Sequence, residues 1–119
     1  MSISMQHERD NVYQLEMSGL LRKADFERCE KELAGELRRV GRVKLLFMLK
    51  DFQGWEPHED WNDLTFYVKH GDAIERIAIV GDARWRSEAL MFAAAGLRRA
   101  SVQFFPENEL ASARAWLSA

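Results

Sequence analysis

Hydrophobic and polar residues alternate at the start of the chain and predict two β-strands. The first candidate is Ile3 to His7, and the second is Val12 to Ser18, where apolar side chains fall on every other position. A period of two is typical of a strand with one solvated face. Because only the polar turn 8–11 separates the two segments, we expect an antiparallel hairpin.

The spacing of apolar residues then changes to three and four, which predicts an amphipathic helix. This helix begins near Asp25 and runs to about Arg39, and Gly41 is a suitable stop. Its apolar stripe consists of Phe26, Cys29, Leu33, Leu37 and Val40. Cys29 is therefore interpreted as a small core residue rather than a reactive thiol.

The continuous apolar run Val43 to Lys50 predicts a strand that is covered on both faces. Ile74 to Val80 is predicted to be another strand, with Ile77 to Val80 as its buried end. The segment Asp51 to Pro57 between them is expected to be a loop. A short last strand is predicted at Val102 to Phe105.

Each of these strands is followed by a predicted helix. The first runs from Pro57, which suits a first helical turn, to about His70, with Trp61, Leu64 and Val68 facing inward. The next runs from Arg84 to about Leu97 and is capped by Asp82. On its inward side lie Trp85, Ala89, Phe92 and Gly96, with Leu90, Ala93 and Leu97 beside them.

A final helix opens at Pro106 and turns Leu110, Ala113 and Leu117 inward, with Trp116 alongside. The complete order is β-β-α-β-α-β-α-β-α. Alternation of this kind favours an α/β fold, here a mixed sheet of four or five strands flanked by four helices. No linker interrupts the 119 residues, so we expect one domain over residues 1–119.

Composition narrows the class of protein. Hydrophobic residues make up 47% of the chain, which is enough for a core, and the net charge of −2 lacks the basic excess of a nucleic-acid binder. A single cysteine allows no internal disulfide. The N-terminus does not resemble a signal peptide, and the apolar runs are too short to span a bilayer. We therefore expect a cytoplasmic protein without stable membrane insertion.

Three segments together resemble the SpoIIAA-like family of small bacterial STAS-type domains. They are Leu45 to Trp55, Ile77 to Trp85, and Val102 to Pro106 followed by Ala113 to Leu117. The resemblance implies a mixed sheet flanked by helices and a non-enzymatic binding or regulatory role. It also implies a relation to anti-sigma-factor antagonists and to CRAL-TRIO lipid-binding domains.

A phosphorylatable antagonist of this kind needs a serine or threonine at the start of the helix after its central strand. The corresponding segment, Asp51 to His58, contains no hydroxyl residue. The resemblance therefore favours a binding module, for a small nonpolar or lipid-like ligand. The alternative is a protein-interaction module that acts without its own phosphorylation.

Aromatic residues concentrate after the two most apolar strands. Ligands in open α/β sheets bind outside the carboxyl ends of parallel strands, and large rings line apolar pockets well. We therefore predict an apolar cleft at this edge, between Trp55 and Trp85 and closed by the segment 52–57. The alternative is that the rings only cap the core. The candidate ligand-binding residues are Phe52, Trp55, Trp61, Tyr67 and Trp85.

No catalytic centre or cofactor site is predicted. Acidic residues near His58 could suggest a metal site, but acids in a first helical turn are stabilised by the helix dipole alone. The chain contains neither a nucleophile elbow nor a glycine-rich phosphate loop. The acidic residues concerned are Glu56, Glu59, Asp60 and Asp63.

The second predicted helix is apolar on more than one side. A domain of this size cannot bury every face of such a helix, so Phe66 or Tyr67 is a candidate contact in a homodimer.

Overall fold

The computed structural model describes residues 2–61 and 65–119, leaving aside the side chains of Thr65 and Tyr67. This part of the chain forms one mixed sheet and four helices, which confirms the predicted α/β class. In chain order the elements are β1 (Ile3–Arg9), β2 (Val12–Leu21), α1 (Lys23–Val40), β3 (Val43–Trp55), α2 (Thr65–His70), β4 (Ile74–Gly81), α3 (Arg86–Phe92), β5 (Ser101–Pro106) and α4 (Leu110–Ser118).

The five strands lie in the sheet in the order in which they occur along the chain. β1 and β2 form the predicted antiparallel hairpin, with Ile3 opposite Met17 and His7 opposite Tyr13. The pairs β2–β3, β3–β4 and β4–β5 are all parallel. Each of the helices α1, α2 and α3 connects one parallel strand to the next strand in the sheet. Because such connections are right-handed and all run in the same direction across the sheet, these three helices lie on one face. α4 follows the last strand and lies on the opposite face.

Two separate cores result, one on each face of the sheet. The larger core contains the buried residues of α1 and α3 and the side chains of Leu45, Phe47 and Leu49 from β3. The smaller core lies under α4 and contains Leu46 from the same strand. The continuous apolar run of β3 is thus explained, because helices cover both of its faces.

β3 is longer than the sequence predicts. The expected loop 51–57 is instead strand as far as Trp55, which pairs with Leu21 of β2. Two irregularities occur in this extension, because Asp51 and Gln53 are passed over in the pairing with β2. Each extra residue is a β-bulge that turns the following side chain to the other face. A two-residue alternation in sequence cannot reveal such insertions.

The second predicted helix is much shorter than expected. Among the described residues it covers only Thr65–His70, while 57–61 form turns. His58 has φ 66°, a left-handed conformation that cannot belong to an α-helix. Val68, which was predicted to face inward, is 77% exposed, and Leu64 lies outside the described residues.

The third predicted helix also ends early. A 3₁₀ turn at Ala83–Trp85 precedes α3, and α3 stops at Phe92 instead of Leu97. Ala94 adopts φ 56° and Gly96 φ 80°, so the backbone leaves the helical region directly after α3. Leu97 is consequently 83% exposed instead of lying on the inward side.

Several local predictions are confirmed. Gly41 adopts φ 85° after α1, and its N–H donates to the carbonyl oxygen of Leu37 at 2.8 Å. Asp82 accepts a hydrogen bond from the N–H of Arg84 at 2.9 Å. No helix in the described ranges is long and apolar enough to cross a bilayer.

Candidate functional site

The carboxyl ends of β3 and β4 meet at one edge of the sheet because the two strands are parallel neighbours. Trp55 is the last residue of β3, and Trp85 ends the 3₁₀ turn that follows β4. Their ring centroids are 5.9 Å apart with an interplanar angle of 77°. The two indoles therefore converge, as the sequence predicts, but they meet edge to face.

Phe52 fills the space between these two indoles. Its ring centroid lies 4.9 Å from Trp55 and 5.2 Å from Trp85, and the residue is only 4% exposed. Gly54 permits this packing, because a Cβ at that position would stand 3.3 Å from the Trp85 ring. The three rings thus form a filled aromatic cluster in which edge-to-face contacts stabilise each pair.

Phe92, at the end of α3, extends the cluster towards α1. Its ring centroid lies 5.4 Å from Trp55, 5.1 Å from Phe26 and 5.8 Å from Trp61. Sequence reasoning assigned Phe26 and Phe92 only to the core stripes of their helices. The spacing of apolar residues along the sequence does not predict that these two rings contact the aromatic cluster. That contact depends on where α1 and α3 lie relative to β3.

A cavity of about 90 Å³ lies beside the aromatic cluster, between the sheet and the helices α1 and α2. We call it the inner cavity, and Phe52, Trp55 and Trp85 do not line it. Its wall is mainly apolar, although Glu30 and Arg98 also contribute. The sheet supplies Leu15, Leu45, Phe47, Ile74 and Ile77, and the surrounding segments supply Phe26, Cys29, Leu33, Trp61, Phe66 and Phe92.

A larger recess of about 320 Å³ adjoins the inner cavity on the outside of the molecule. We call it the outer groove. The two recesses share the lining residues Phe26, Glu30, Trp61 and Phe66. The remaining lining of the outer groove is mostly charged: Lys23, Glu27, Lys31, Ala34, Asp60, Lys69 and His70. An apolar cavity therefore adjoins a polar groove, and the four shared side chains border both.

Trp61 stands at this boundary although it belongs to no helix. Its Nε1–H donates to the carbonyl oxygen of Glu56 at 2.8 Å. Glu56 is itself fixed, because its N–H donates to Leu21 and its carboxylate accepts from the N–H of Lys23 at 3.2 Å. These bonds tie the turn after β3 to the beginning of α1 and hold the Trp61 ring at the mouth of the inner cavity.

Cys29 contributes to the wall of the inner cavity as a buried free thiol. Burial raises its pKa to about 12, and the nearby carboxylates of Glu32 and Glu30 act in the same direction. The thiol therefore stays protonated near neutral pH and behaves as a small apolar group.

The predicted site residues thus occupy different places. Phe52, Trp55 and Trp85 pack against one another, Trp61 lines both recesses, and the side chain of Tyr67 lies outside the described residues. Phe66, which the sequence suggested as a homodimer contact, instead lines both recesses.

The sequence also raised the acidic residues near His58 as candidates for a metal site, and Glu56, Glu59 and Asp60 lie among the described residues. Within 2–61 and 65–119 no group of three His, Cys, Asp or Glu side chains could hold a metal ion. Asp63 lies outside the described residues.

The segment that lacks a hydroxyl residue does not open a helix. The sequence predicts a helix from Pro57, but α2 as described begins at Thr65. The segment 51–58 is strand and turn, so its composition does not test whether that helix carries a hydroxyl at its start.

The sheet order and the single helix on the second face are those of a STAS-type domain, a class of generally non-catalytic regulatory and binding modules. The chain belongs to the SpoIIAA-like family, whose family model matches residues 12–118. The resemblance found in the sequence is thereby confirmed.

A solved structure supports the same fold. An uncharacterized protein of the DUF3478 family from Shewanella loihica PV-4, described as having a SpoIIAA-like fold, superposes with a TM-score of 0.73. The alignment covers 97% of this chain and 91% of that chain at 24% identity, so the likeness is one of fold. No curated protein matches this sequence.

Proposed function

We propose that this protein is a non-enzymatic binding module that takes up a small amphipathic molecule with its nonpolar end in the inner cavity. The observation that carries the proposal is that an apolar cavity and a polar groove adjoin and share Phe26, Glu30, Trp61 and Phe66. A ligand with one nonpolar and one polar end matches this order of surroundings.

The size of the inner cavity limits the nonpolar end. An apolar cavity of about 150 Å³ stays dry and admits benzene. The inner cavity measures about 90 Å³, so it holds roughly three groups of the size of a water molecule or a methylene. We therefore propose a short or branched hydrocarbon end inside, with the rest of the molecule in the outer groove.

A homologous series of straight-chain alcohols from propan-1-ol to octan-1-ol tests this proposal. Each methylene transferred from water into an apolar site contributes about 0.8 kcal/mol, or roughly a fourfold gain in affinity. We expect the gain to continue until the inner cavity is filled and then to level off. Trp61 lines the cavity, so tryptophan fluorescence together with calorimetry can follow binding. No saturable binding of any alcohol would end the proposal.

A matched pair of variants separates the inner cavity from the rest of the core. Cys29→Leu adds bulk to the wall of the inner cavity, whereas Val12→Leu adds bulk to the smaller core under α4. We expect Cys29→Leu to lower the affinity for hexan-1-ol about four- to fifteenfold, because it occupies the space of one or two methylenes. Val12→Leu should leave the affinity within about twofold. Circular dichroism verifies that both variants fold.

A protein-interaction module is the second candidate, and exposed apolar side chains favour it. Val68 on α2, Met91 on α3 and Leu97 after α3 are 77%, 79% and 83% exposed. Large exposed apolar side chains mark contact surfaces when they are contiguous. Sedimentation equilibrium of the wild type and of a Val68→Ser, Met91→Ser, Leu97→Ser variant tests association with a second copy. If the wild type is entirely monomeric at the highest concentration, a second copy of the chain is excluded as the partner.

A further inference from the structure

We propose that the polar end of the ligand is an anion, such as a carboxylate, held by the lysines of the outer groove. This inference rests on the function proposed above and specifies the chemical class of its ligand. Three ammonium groups, those of Lys23, Lys31 and Lys69, line the groove.

The positions of two lysines relative to the mouth carry the inference. Lys23 precedes Phe26 by three residues in α1, and Lys69 follows Phe66 by three residues in α2. Residues three apart on a helix are neighbours on its surface, with Cβ atoms about 5–6 Å apart. Each lysine therefore stands about one turn from an aromatic residue that borders both recesses. Both lysines thus lie on the groove side of the residues past which a head group would extend.

The charge balance of the outer groove points in the same direction. None of the salt bridges within 2–61 and 65–119 involves Lys23, Lys31 or Lys69. The groove is also lined by three carboxylates, but Glu30 and Asp60 already have interaction partners. A cationic head would compete with those partners. Among the described residues no salt bridge involves the third carboxylate, Glu27, so the groove offers a head group three ammonium groups against one carboxylate.

Three ligands with the same six-carbon tail and different heads provide the test. Hexanoate carries a negative charge, hexan-1-ol is neutral and hexylamine is positive. We expect hexanoate to bind about three- to fivefold more tightly than hexan-1-ol, the upper part of the range that exposed ion pairs provide, and hexylamine to bind most weakly. The advantage of hexanoate should shrink between 0.1 and 1 M salt, as the screening length falls from about 10 Å to about 3 Å.

Paired variants with equal loss of charge locate the effect. Lys31→Gln with Lys69→Gln removes two groove lysines, and Lys44→Gln with Lys50→Gln removes two lysines of β3 that do not line the groove. We expect the first pair of substitutions to weaken the binding of hexanoate about three- to fivefold without changing the affinity for hexan-1-ol. The second pair should change neither affinity by more than about twofold.

The outcomes distinguish the two proposals. Equal affinities for the three ligands, tightest binding of hexylamine, or equal effects of both lysine pairs would overturn the anionic head group and leave the proposed function intact. Absence of binding for all three ligands would overturn the proposed function and this inference with it.

Discussion

Gly81 illustrates how closely the strand ends are packed at the scale of single residues. It is the last residue of β4, and a Cβ at this position would lie 2.8 Å from the Cβ and 2.9 Å from the Cδ1 of Leu49. Leu49 belongs to β3 and is buried, so it cannot move away freely. Gly81 therefore lets the carboxyl end of β4 lie directly against the Leu49 side chain of β3.

Gly81→Ala should therefore lower the free energy of unfolding by about 1–3 kcal/mol, the usual penalty for overpacking. Gly35→Ala is the matched control. Gly35 lies in α1, where the nearest atom to an added Cβ is an Arg38 nitrogen at 3.9 Å, so the change should stabilise by about 0.5–1 kcal/mol. Urea denaturation followed by circular dichroism measures both. A Gly81→Ala variant as stable as the wild type would contradict the close contact.

Asp25 forms a second interaction on which stability depends at the residue scale. Its carboxylate accepts hydrogen bonds from the N–H and the Oγ–H of Ser2 at 2.9 and 2.8 Å. These bonds lower the pKa of Asp25, and Arg28 contributes further. Folding therefore stabilises the charged form of the Asp25 carboxyl group relative to the unfolded chain. The same hydrogen bonds connect the residue before β1 to α1.

The sign of the pH effect follows from the lowered pKa of Asp25. The stabilisation is present above the unfolded pKa of about 4 and is lost as the pH falls through the lower folded pKa. We expect Asp25→Asn to be less stable than the wild type at pH 7 and to lose less stability between pH 5 and pH 2. Asp10→Asn in the exposed β1–β2 turn is the control. Identical acid dependence of wild type and Asp25→Asn would contradict the assignment.

The element that decides the architecture of the aromatic cluster is the distal half of β3. The bulges at Asp51 and Gln53 turn both Phe52 and Trp55 towards the helices of the larger core. A regular strand would place two residues three positions apart on opposite faces. The cluster therefore depends on a local departure from regular pairing, and Asp51 with φ 50° is part of it.

Substitutions at Asp51 test that dependence. Asp51→Gly should keep or slightly raise the free energy of unfolding, because glycine adopts positive φ without steric cost. Asp51→Val should lower it by about 1–2 kcal/mol, because a β-branched residue is strained in that region. Near-UV circular dichroism should show a weakened tryptophan signal for the valine variant only. Equal stability of the two variants would mean that the bulge relaxes without cost.

Prediction from sequence succeeded for some elements and failed for others, for a definite reason. The β1–β2 hairpin, α1 and β4 were located within a few residues, because periodicity and caps such as Gly41 report them directly. α2 and α3 were predicted too long because their apolar spacing continues beyond their ends. The backbone is left-handed at His58 and at Ala94, so an α-helix cannot continue through either residue. Neither histidine nor alanine is a residue type that predicts this conformation.

At the scale of the whole molecule, the inner cavity is enclosed by parts of the chain that are distant in sequence. Its wall combines β2, β3 and β4 with α1 and the segments around Trp61 and Phe66. Cys29 lies in that wall, so reaction of its thiol reports opening of the structure. A ligand in the inner cavity should reduce such opening.

We expect Ellman's reagent to modify Cys29 at pH 8 at least about a hundredfold more slowly in the folded protein than in urea, because both burial and the pKa of about 12 suppress the thiolate. Saturating hexan-1-ol should slow the reaction further. The variant Val12→Leu, altered in the opposite core, should respond to hexan-1-ol like the wild type. Rapid modification of the folded protein would contradict the buried position.

The sequence by itself determined the α/β class, the strand hairpin, the doubly covered central strand and the concentration of aromatic rings after β3 and β4. These features depend on periodicity and on short-range chain geometry, which neighbouring residues specify. The tertiary structure alone decided that Phe52 fills the space between Trp55 and Trp85 and that the cavity lies beside them. Both features depend on the two bulges in β3 and on the bounds of α2 and α3. These local features determine which side chains, distant in sequence, come into contact.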